Sequence, residues 1–341
     1  TELYLCESDA GLHPKRTIDI FHHSIRISNQ KLKKMWERKL HIFSLGGPLY
    51  RANNLLPGGA SHVVPFPTDQ DFHGLIPRSR VHLFFTAEEE RLGHAGLRDL
   101  GLPEGAPFVC IYARDTAYKK GWYPNQGDGG HSYRNTSIYN HVPAAEELVR
   151  RGYFVIRMGA VVNEALRTAN PMIIDYATKA RSDFMDIYLG AKCRFFLGST
   201  GGLMHVPRIF RRPVIIANFV PLRMPDLLLM TGSLIIPKKL WPREGGRFLT
   251  FREGLKPWSN RLSGSESYER MGVDVIENTP EELLAVAVEM DERLKGTWQT
   301  TEEDGELQQR FWSLLEVREP NEEFRPRMGA EFLRQNRELL D

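Results

Sequence analysis

The chain has 341 residues, 41% of them hydrophobic and 26% charged, an ordinary globular composition that excludes disordered, collagen-like and coiled-coil chains. Lys and Arg number 45 against 43 Asp and Glu, a net charge of +2. A protein that grips a nucleic-acid backbone carries a strong basic excess, so nucleic acid is not expected as a partner, and only a local phosphate site is. The length fits about two domains.

The first residue is Thr and the chain runs directly into an apolar stretch, LYLC. This predicts a processed chain or a first domain that lacks its start. Residues 27–40 (ISNQKLKKMWERKL) read as a helix with a basic outer face and Ser28 or Asn29 as N-cap. HIFSLG (41–46) and SHVVPF (61–66) read as strands. Thr86 opens the next helix, with Glu89 completing a capping box and Gly101 as its stop. LPEGAP (102–107) is a Pro/Gly-rich linker, so the division expected is an acceptor-side domain over 1–104 and a second domain over 105–295, with a helical tail over 296–341.

The second part is more regular. FVCIYA (108–113) is a continuous apolar run, as a buried parallel strand requires. A long polar, Gly-rich loop follows from Arg114 to Asn140, a length uncommon in loops without a function. Val142–Arg151 is a helix ended by Gly152, YFVIRMG (153–159) a strand, MIIDYA (172–177) a short strand, SDFMDIYLGAK (182–192) a helix and CRFFLG (193–198) a strand. A Gly-rich turn, a short helix around MHVPRIF (204–210) and the strand PVIIANF (213–219) come next. VDVIEN (273–278) leads as a strand into a helix with Thr279 as N-cap, Pro280 at N1 and Glu282 closing the capping box. Alternating strands and helices predict an α/β, doubly wound parallel sheet.

In such sheets ligands lie beyond the carboxyl ends of the strands. Gly198-Ser199-Thr200-Gly201-Gly202 is one strand end. Its glycines admit a ligand to the backbone and its helix N-terminus suits a diphosphate, although a plain strand-to-helix turn has the same composition. The second is Arg114-Asp115, where a guanidinium emerges beside the long loop carrying His131, Ser132, Tyr133, Arg134 and Asn135; a phosphate clamp and a general base are both available there, and a surface ion pair and a polar loop are the plain alternatives. Gly159, after Arg157 and Met158, either makes room for a ring or ribose or simply ends its strand. Asp69-Gln70-Asp71 has the DxD form of some metal-dependent sugar transferases, but turn chemistry explains it equally well. His22-His23 has no third ligand at useful spacing. No metal or other cofactor is expected. Cys6, Cys110 and Cys193 sit in apolar stretches as free thiols, which points to a reducing compartment. No apolar run approaches the roughly 18 residues of a membrane span, so a cytoplasmic location is expected, with at most peripheral association at the inner face of a membrane.

The blocks YARDTAYKK, HSYRNTSIYNHVPAAEELVRRGYFVIRMG, RSDFMDIYLGAKCRFFLGSTGGL, VPRIFRRPVIIANFVPL and GVDVIENTPEEL resemble a family of bacterial glycosyltransferases found among surface-polysaccharide biosynthesis genes. TELYLCESDAG and ISNQKLKKMWERKL extend the likeness to nearly the whole chain; family members carry a further strand and a Gly-His turn before the first of these. More distantly the second half is similar to GT-B transferases: Arg114 resembles the diphosphate-binding Arg of fucosyltransferases, and TGGLMH resembles the Asp-(Ser/Thr)-Gly-x-x-His turn of lipopolysaccharide heptosyltransferases, with Thr200 and Gly201 departing from it and Gly202 and His205 matching.

The resemblance implies two Rossmann-like domains facing a cleft, the first incomplete. A nucleoside-diphosphate sugar would be the substrate and a glycan or lipid-linked molecule the acceptor, with no metal for donor binding. The implied donor-binding set is Arg114, Tyr133, Arg134, Gly159, Ser199, Thr200, Gly201, Gly202 and His205, with His131 and Asp115 as acid–base candidates. A nucleotide-sugar epimerase or hydrolase of the same fold, and a non-catalytic nucleotide-sugar or glycan-binding module, are the alternatives.

Overall fold

The structure, a computed structural model, describes residues 1–14, 17–23, 26–64, 71–122, 130–223, 226–227, 230–255, 264–315 and 324–341. Its centre is a seven-stranded sheet in the order β3-β2-β1-β4-β5-β6-β9, every neighbouring pair parallel. The strands are β1 (Phe108–Tyr112), β2 (Phe154–Arg157), β3 (Ile173–Ile174), β4 (Phe196–Gly198), β5 (Val214–Phe219), β6 (Leu234–Pro237) and the edge strand β9 (Arg327–Met328). The uninterrupted apolar runs of β1, β4 and β5 are buried because helices cover both faces of a parallel sheet. The α/β doubly wound class is as expected. VDVIEN departs from expectation: β8 (Val273–Ile276) leaves the parallel sheet and pairs antiparallel with β7 (Lys239–Pro242).

Fifteen α-helices are named among the described residues. In chain order they are α1 (Glu2–Asp9), α2 (Gln30–Glu37), α3 (Gly46–Asn53), α4 (Leu75–Arg78), α5 (Ala87–Asp99), α6 (Ala117–Trp122), α7 (Val142–Arg150), α8 (Tyr176–Lys179), α9 (Asp183–Lys192), α10 (His205–Ile209), α11 (Phe251–Gly254), α12 (Ser265–Arg270), α13 (Pro280–Lys295), α14 (Glu302–Ser313) and α15 (Ala330–Gln335). The capping boxes at Thr86/Glu89 and Thr279/Glu282 form, and Asn29 rather than Ser28 caps α2 by accepting from the Leu32 N–H. Right-handed crossovers from a sheet whose order reverses at β1/β4 place helices on both faces. α7 and α13 pack together, and α9 packs with α2, α5 and α10. Gly93 lets α5 approach α9: a Cβ there would lie 2.1 Å from the Tyr188 ring.

The first hundred residues correct two strand readings. HIFSLG contributes one isolated bridge, Ile42 with Phe21, and then enters α3, since no neighbouring strand extends the pairing. In SHVVPF, Ser61 and His62 close a 3-10 turn started by left-handed Gly58, and Pro65 and Phe66 lie outside the described residues. Among the described residues, 1–104 therefore form no parallel sheet of their own. They are anchored to the body instead. Asn29 donates to the Asp183 carbonyl and the Gln30 N–H to the Asp183 carboxylate, while Met35, Trp36 and Leu83 share an apolar cluster with Ile187 and Val206. At the other end, residues 296–341 add strand β9 to the expected helices, and Phe311, Met328 and Leu333 sit in the main core.

Candidate functional site

The sheet order reverses between β1 and β4, so their carboxyl ends diverge and open a crevice. The residues at those two ends are Arg114 and the Ser199–Gly202 turn. They are tied together: the Arg114 N–H donates to Ser199 Oγ at 2.9 Å and the Ser199 N–H to the Tyr112 carbonyl at 3.1 Å. The buried Arg114 guanidinium donates to the His131 carbonyl and to Asn135 Oδ1, both at 2.9 Å, which folds the long loop back over the strand end. Arg134 spans to the turn, donating from Nε to Thr200 Oγ1 and from Nη2 to the Thr200 carbonyl, each at 3.2 Å. The Tyr133 ring packs at a tilt against Tyr268, with centroids 5.0 Å apart, and its N–H donates to Ser265 Oγ.

A third cation joins them. Lys238 follows β6, is buried, and donates to the Asn135 carbonyl. Burial pushes its ammonium down to about 8; Glu277 pulls it up and Arg114 pushes it further down. Among the described residues neither Arg134 nor Lys238 has a carboxylate within ion-pair distance; their partners are neutral oxygens. Cations held by neutral acceptors keep most of their field for an incoming anion. Behind Lys238 a buried polar network fixes the strand ends. Asn218 and Asn278 exchange N–H to Oδ1 hydrogen bonds at 2.6 and 2.7 Å, and Glu277 Oε2 accepts from Thr136, Ser137 and Asn140. Asn218 sits at φ 53, a left-handed conformation that Asn tolerates better than most residues.

The remaining sequence candidates are placed as follows. Ser199 and Thr200 are buried. Gly201 has φ −178, so its backbone is extended and a positive φ is not its reason to be glycine; a Cβ there would lie 3.3 Å from the Tyr112 hydroxyl. Gly202 is exposed and begins a 3-10 turn, and His205 begins α10, whose five residues supply a weaker dipole than a long helix would. Gly159 (φ 156) has its missing Cβ 2.6 Å from Val162, so packing accounts for it. Asp115 accepts the Ala117 N–H at the start of α6 and the Asn163 N–H, each at 2.8 Å. Asp69 and Gln70 lie outside the described residues; Asp71 is buried and caps α4, accepting from the Leu75 and Ile76 N–H groups and from Thr231.

Beside this edge lies a cavity of about 570 Å³. The body contributes Tyr112, Asp115, Val161, Gly202 and Val206; residues 21–42 form the facing wall with His23, Arg26, Lys33 and Trp36. Arg114, His131, Tyr133 and Arg134 are not among its lining residues, whereas Asp115 and Gly202 are. Sequence reasoning missed Lys238, Glu277 and the pair His23–Glu37, whose Nε2 and Oε1 are 2.9 Å apart. For Lys238 the run LIIP, four apolar residues before a lysine pair, is the signal; for His23 the sequence carries none, because Glu37 is on another element.

No protein-family profile matches the chain, and no curated protein is similar to it. One similar solved structure is the ADP-heptose lipopolysaccharide heptosyltransferase II of E. coli, at 16% identity and a TM-score of 0.32, with 55% of this chain and 52% of that one covered. The chain thus spans about half the length of that structure. No helix among the described residues is long and apolar enough to cross a membrane.

Proposed function

We propose that this chain is a glycosyltransferase that takes a sugar from a nucleoside diphosphate and passes it to a glycan or lipid-linked acceptor. The observation that carries the reading is the edge at the β1/β4 reversal, where the Arg114 guanidinium and Lys238 donate to the His131–Asn135 loop and Arg134 on that loop donates to Thr200 of the Gly-rich turn. On this reading residues 105–295 take the donor and 1–104 face the acceptor. The diphosphate lies along the Ser199–Gly202 turn, with Thr200, Gly201 and His205 beside it, Tyr133 and His131 on the loop above, and Gly159 at the next strand end. Three cations suffice to meet the charge that grows on the leaving diphosphate, so the donor needs no metal. Asp115, with both oxygens accepting backbone N–H groups, orders the strand end and the cavity wall.

The test is a melting-temperature panel of the whole chain with UDP, GDP, ADP and their sugar derivatives, followed by assay of nucleoside diphosphate release with and without saccharide acceptors. A ligand that binds only the folded state raises the melting temperature by mass action. The reading expects one nucleobase to raise it and saccharide to accelerate release. Equal release in water alone marks a hydrolase, binding without release marks a binding module, and no shift with any nucleotide removes the reading.

A further inference from the structure

We infer that His23, held by Glu37, is the group that takes the proton from the acceptor hydroxyl, and that the cavity it lines is the acceptor side of the same reaction. This rests on the reading of the chain as a glycosyltransferase. The cavity joins the two halves that such a reaction needs. One wall carries Gly202, two residues from the Thr200 that holds Arg134; the other carries His23. His23 and Glu37 come from separate elements, the segment before α2 and the end of α2 itself, and the Phe21–Ile42 bridge holds that segment in place.

The pair has the geometry of an oriented base. His23 Nε2 lies 2.9 Å from Glu37 Oε1, and His23 Nδ1 has no partner among the described residues. The hydrogen bond from His23 is the leading cause that holds the Glu37 carboxyl below its usual range, with Lys33 at 3.5 Å adding to it. Glu37 therefore stays a carboxylate, keeps the imidazole proton on Nε2, and leaves the Nδ1 lone pair for a substrate proton. His22 also lines the cavity, but its Nδ1 donates to the neutral His23 carbonyl at 3.1 Å, whereas His23 is the one oriented by a carboxylate, Glu37. Across the cavity, Asp115 accepts backbone N–H groups and Asp186 is paired with Arg181 at 2.7 Å, so both carboxylates are already engaged.

The step balances. The acceptor oxygen forms a bond to the anomeric carbon as that carbon's bond to the diphosphate oxygen breaks. The leaving diphosphate keeps the electron pair and its charge is met by the Arg114, Arg134 and Lys238 edge. The acceptor proton moves to His23 Nδ1, and the other proton stays on Nε2, donated to the Glu37 carboxylate. His23 is the catalytic residue and Glu37 the positioning residue.

Two measurements test this on the full chain. Nitrogen-15 NMR of histidine-labelled protein, with the His23 signals assigned from His23→Gln, should find the neutral ring protonated on Nε2; an Nδ1–H ring overturns the inference whether or not a donor is known. In the release assay with p-nitrophenyl glycosides as acceptors, His23→Gln should lower kcat by roughly 10²-fold or more and abolish its rise with pH, while nucleoside diphosphate affinity stays within about twofold. Glu37→Gln should lower kcat by about tenfold, with partial rescue by Glu37→Asp. A His23→Gln enzyme that keeps its rate or its pH limb overturns the base assignment alone. A wild-type chain that binds no nucleoside diphosphate overturns the glycosyltransferase reading and, with it, the role given to His23.

Discussion

The residue on which most depends electrostatically is Lys238. Its ammonium is pushed down to about 8 by burial, and a diphosphate bound beside it should raise that value again, so nucleotide binding should take up a proton near that pH. Nucleoside diphosphate affinity should fall as pH rises through about 8, and Lys238→Met should be weaker-binding but pH-independent across the same interval; calorimetry in buffers of different ionisation enthalpy reads both. The stability sign is opposite. Because the folded value lies below the ordinary 10.5, the unfolded chain binds more protons between about 8 and 10.5, and this lysine's contribution to stability grows over that range. Arg134→Lys should recover only part of the binding lost in Arg134→Ala, because an ammonium cannot span the Thr200 hydroxyl and carbonyl at once. Much of this edge was legible from sequence: Arg114 and Ser199–Gly202 sit at ends of buried apolar runs. Lys238 was harder to see, because its strand is only four residues long, and the bond from the Asn163 N–H that occupies the second Asp115 oxygen joins residues far apart in sequence.

At the scale of elements, close approach decides. The Gly201 turn is extended, so Val at 201 suffers no backbone strain and acts only by filling the space beside Tyr112. Gly201→Val should cancel the nucleotide-induced rise in melting temperature while costing little stability. Gly152, at φ 93, is the control: Gly152→Val strains a left-handed position by about 1–2 kcal/mol yet should leave the ligand-induced rise intact. Gly93→Leu drives a side chain into Tyr188 and should lower stability by about 1–3 kcal/mol, read as a lower denaturation midpoint. Helix starts were legible because the capping boxes at Thr86 and Thr279 are local chemistry. The strands expected at HIFSLG and SHVVPF failed because a strand needs a neighbour, and short apolar runs do not say whether one exists. β7 and β9 were missed for the complementary reason: β9 is two residues long and is made by pairing with β6.

At the scale of the whole molecule, a parallel sheet reversing at β1/β4 opens a crevice at the diverging strand ends, and residues 21–42 close a cavity against that edge. The sheet was legible in the alternation of apolar runs and amphipathic helices. The cavity was not, because its walls lie far apart in sequence. If the three cations alone meet the diphosphate, a chelator should leave nucleotide affinity and turnover unchanged, and loss of activity restored by Mg²⁺ or Mn²⁺ would reassign the chemistry to a metal. The central claim is that this edge binds a nucleoside diphosphate, and titration calorimetry of wild type and Arg114→Ala with the nucleotide that raises the melting temperature tests it most directly. The account predicts a loss of about 1.5–3 kcal/mol in Arg114→Ala, roughly 10- to 150-fold in Kd, with the fold retained. Equal affinity in the two proteins would contradict it.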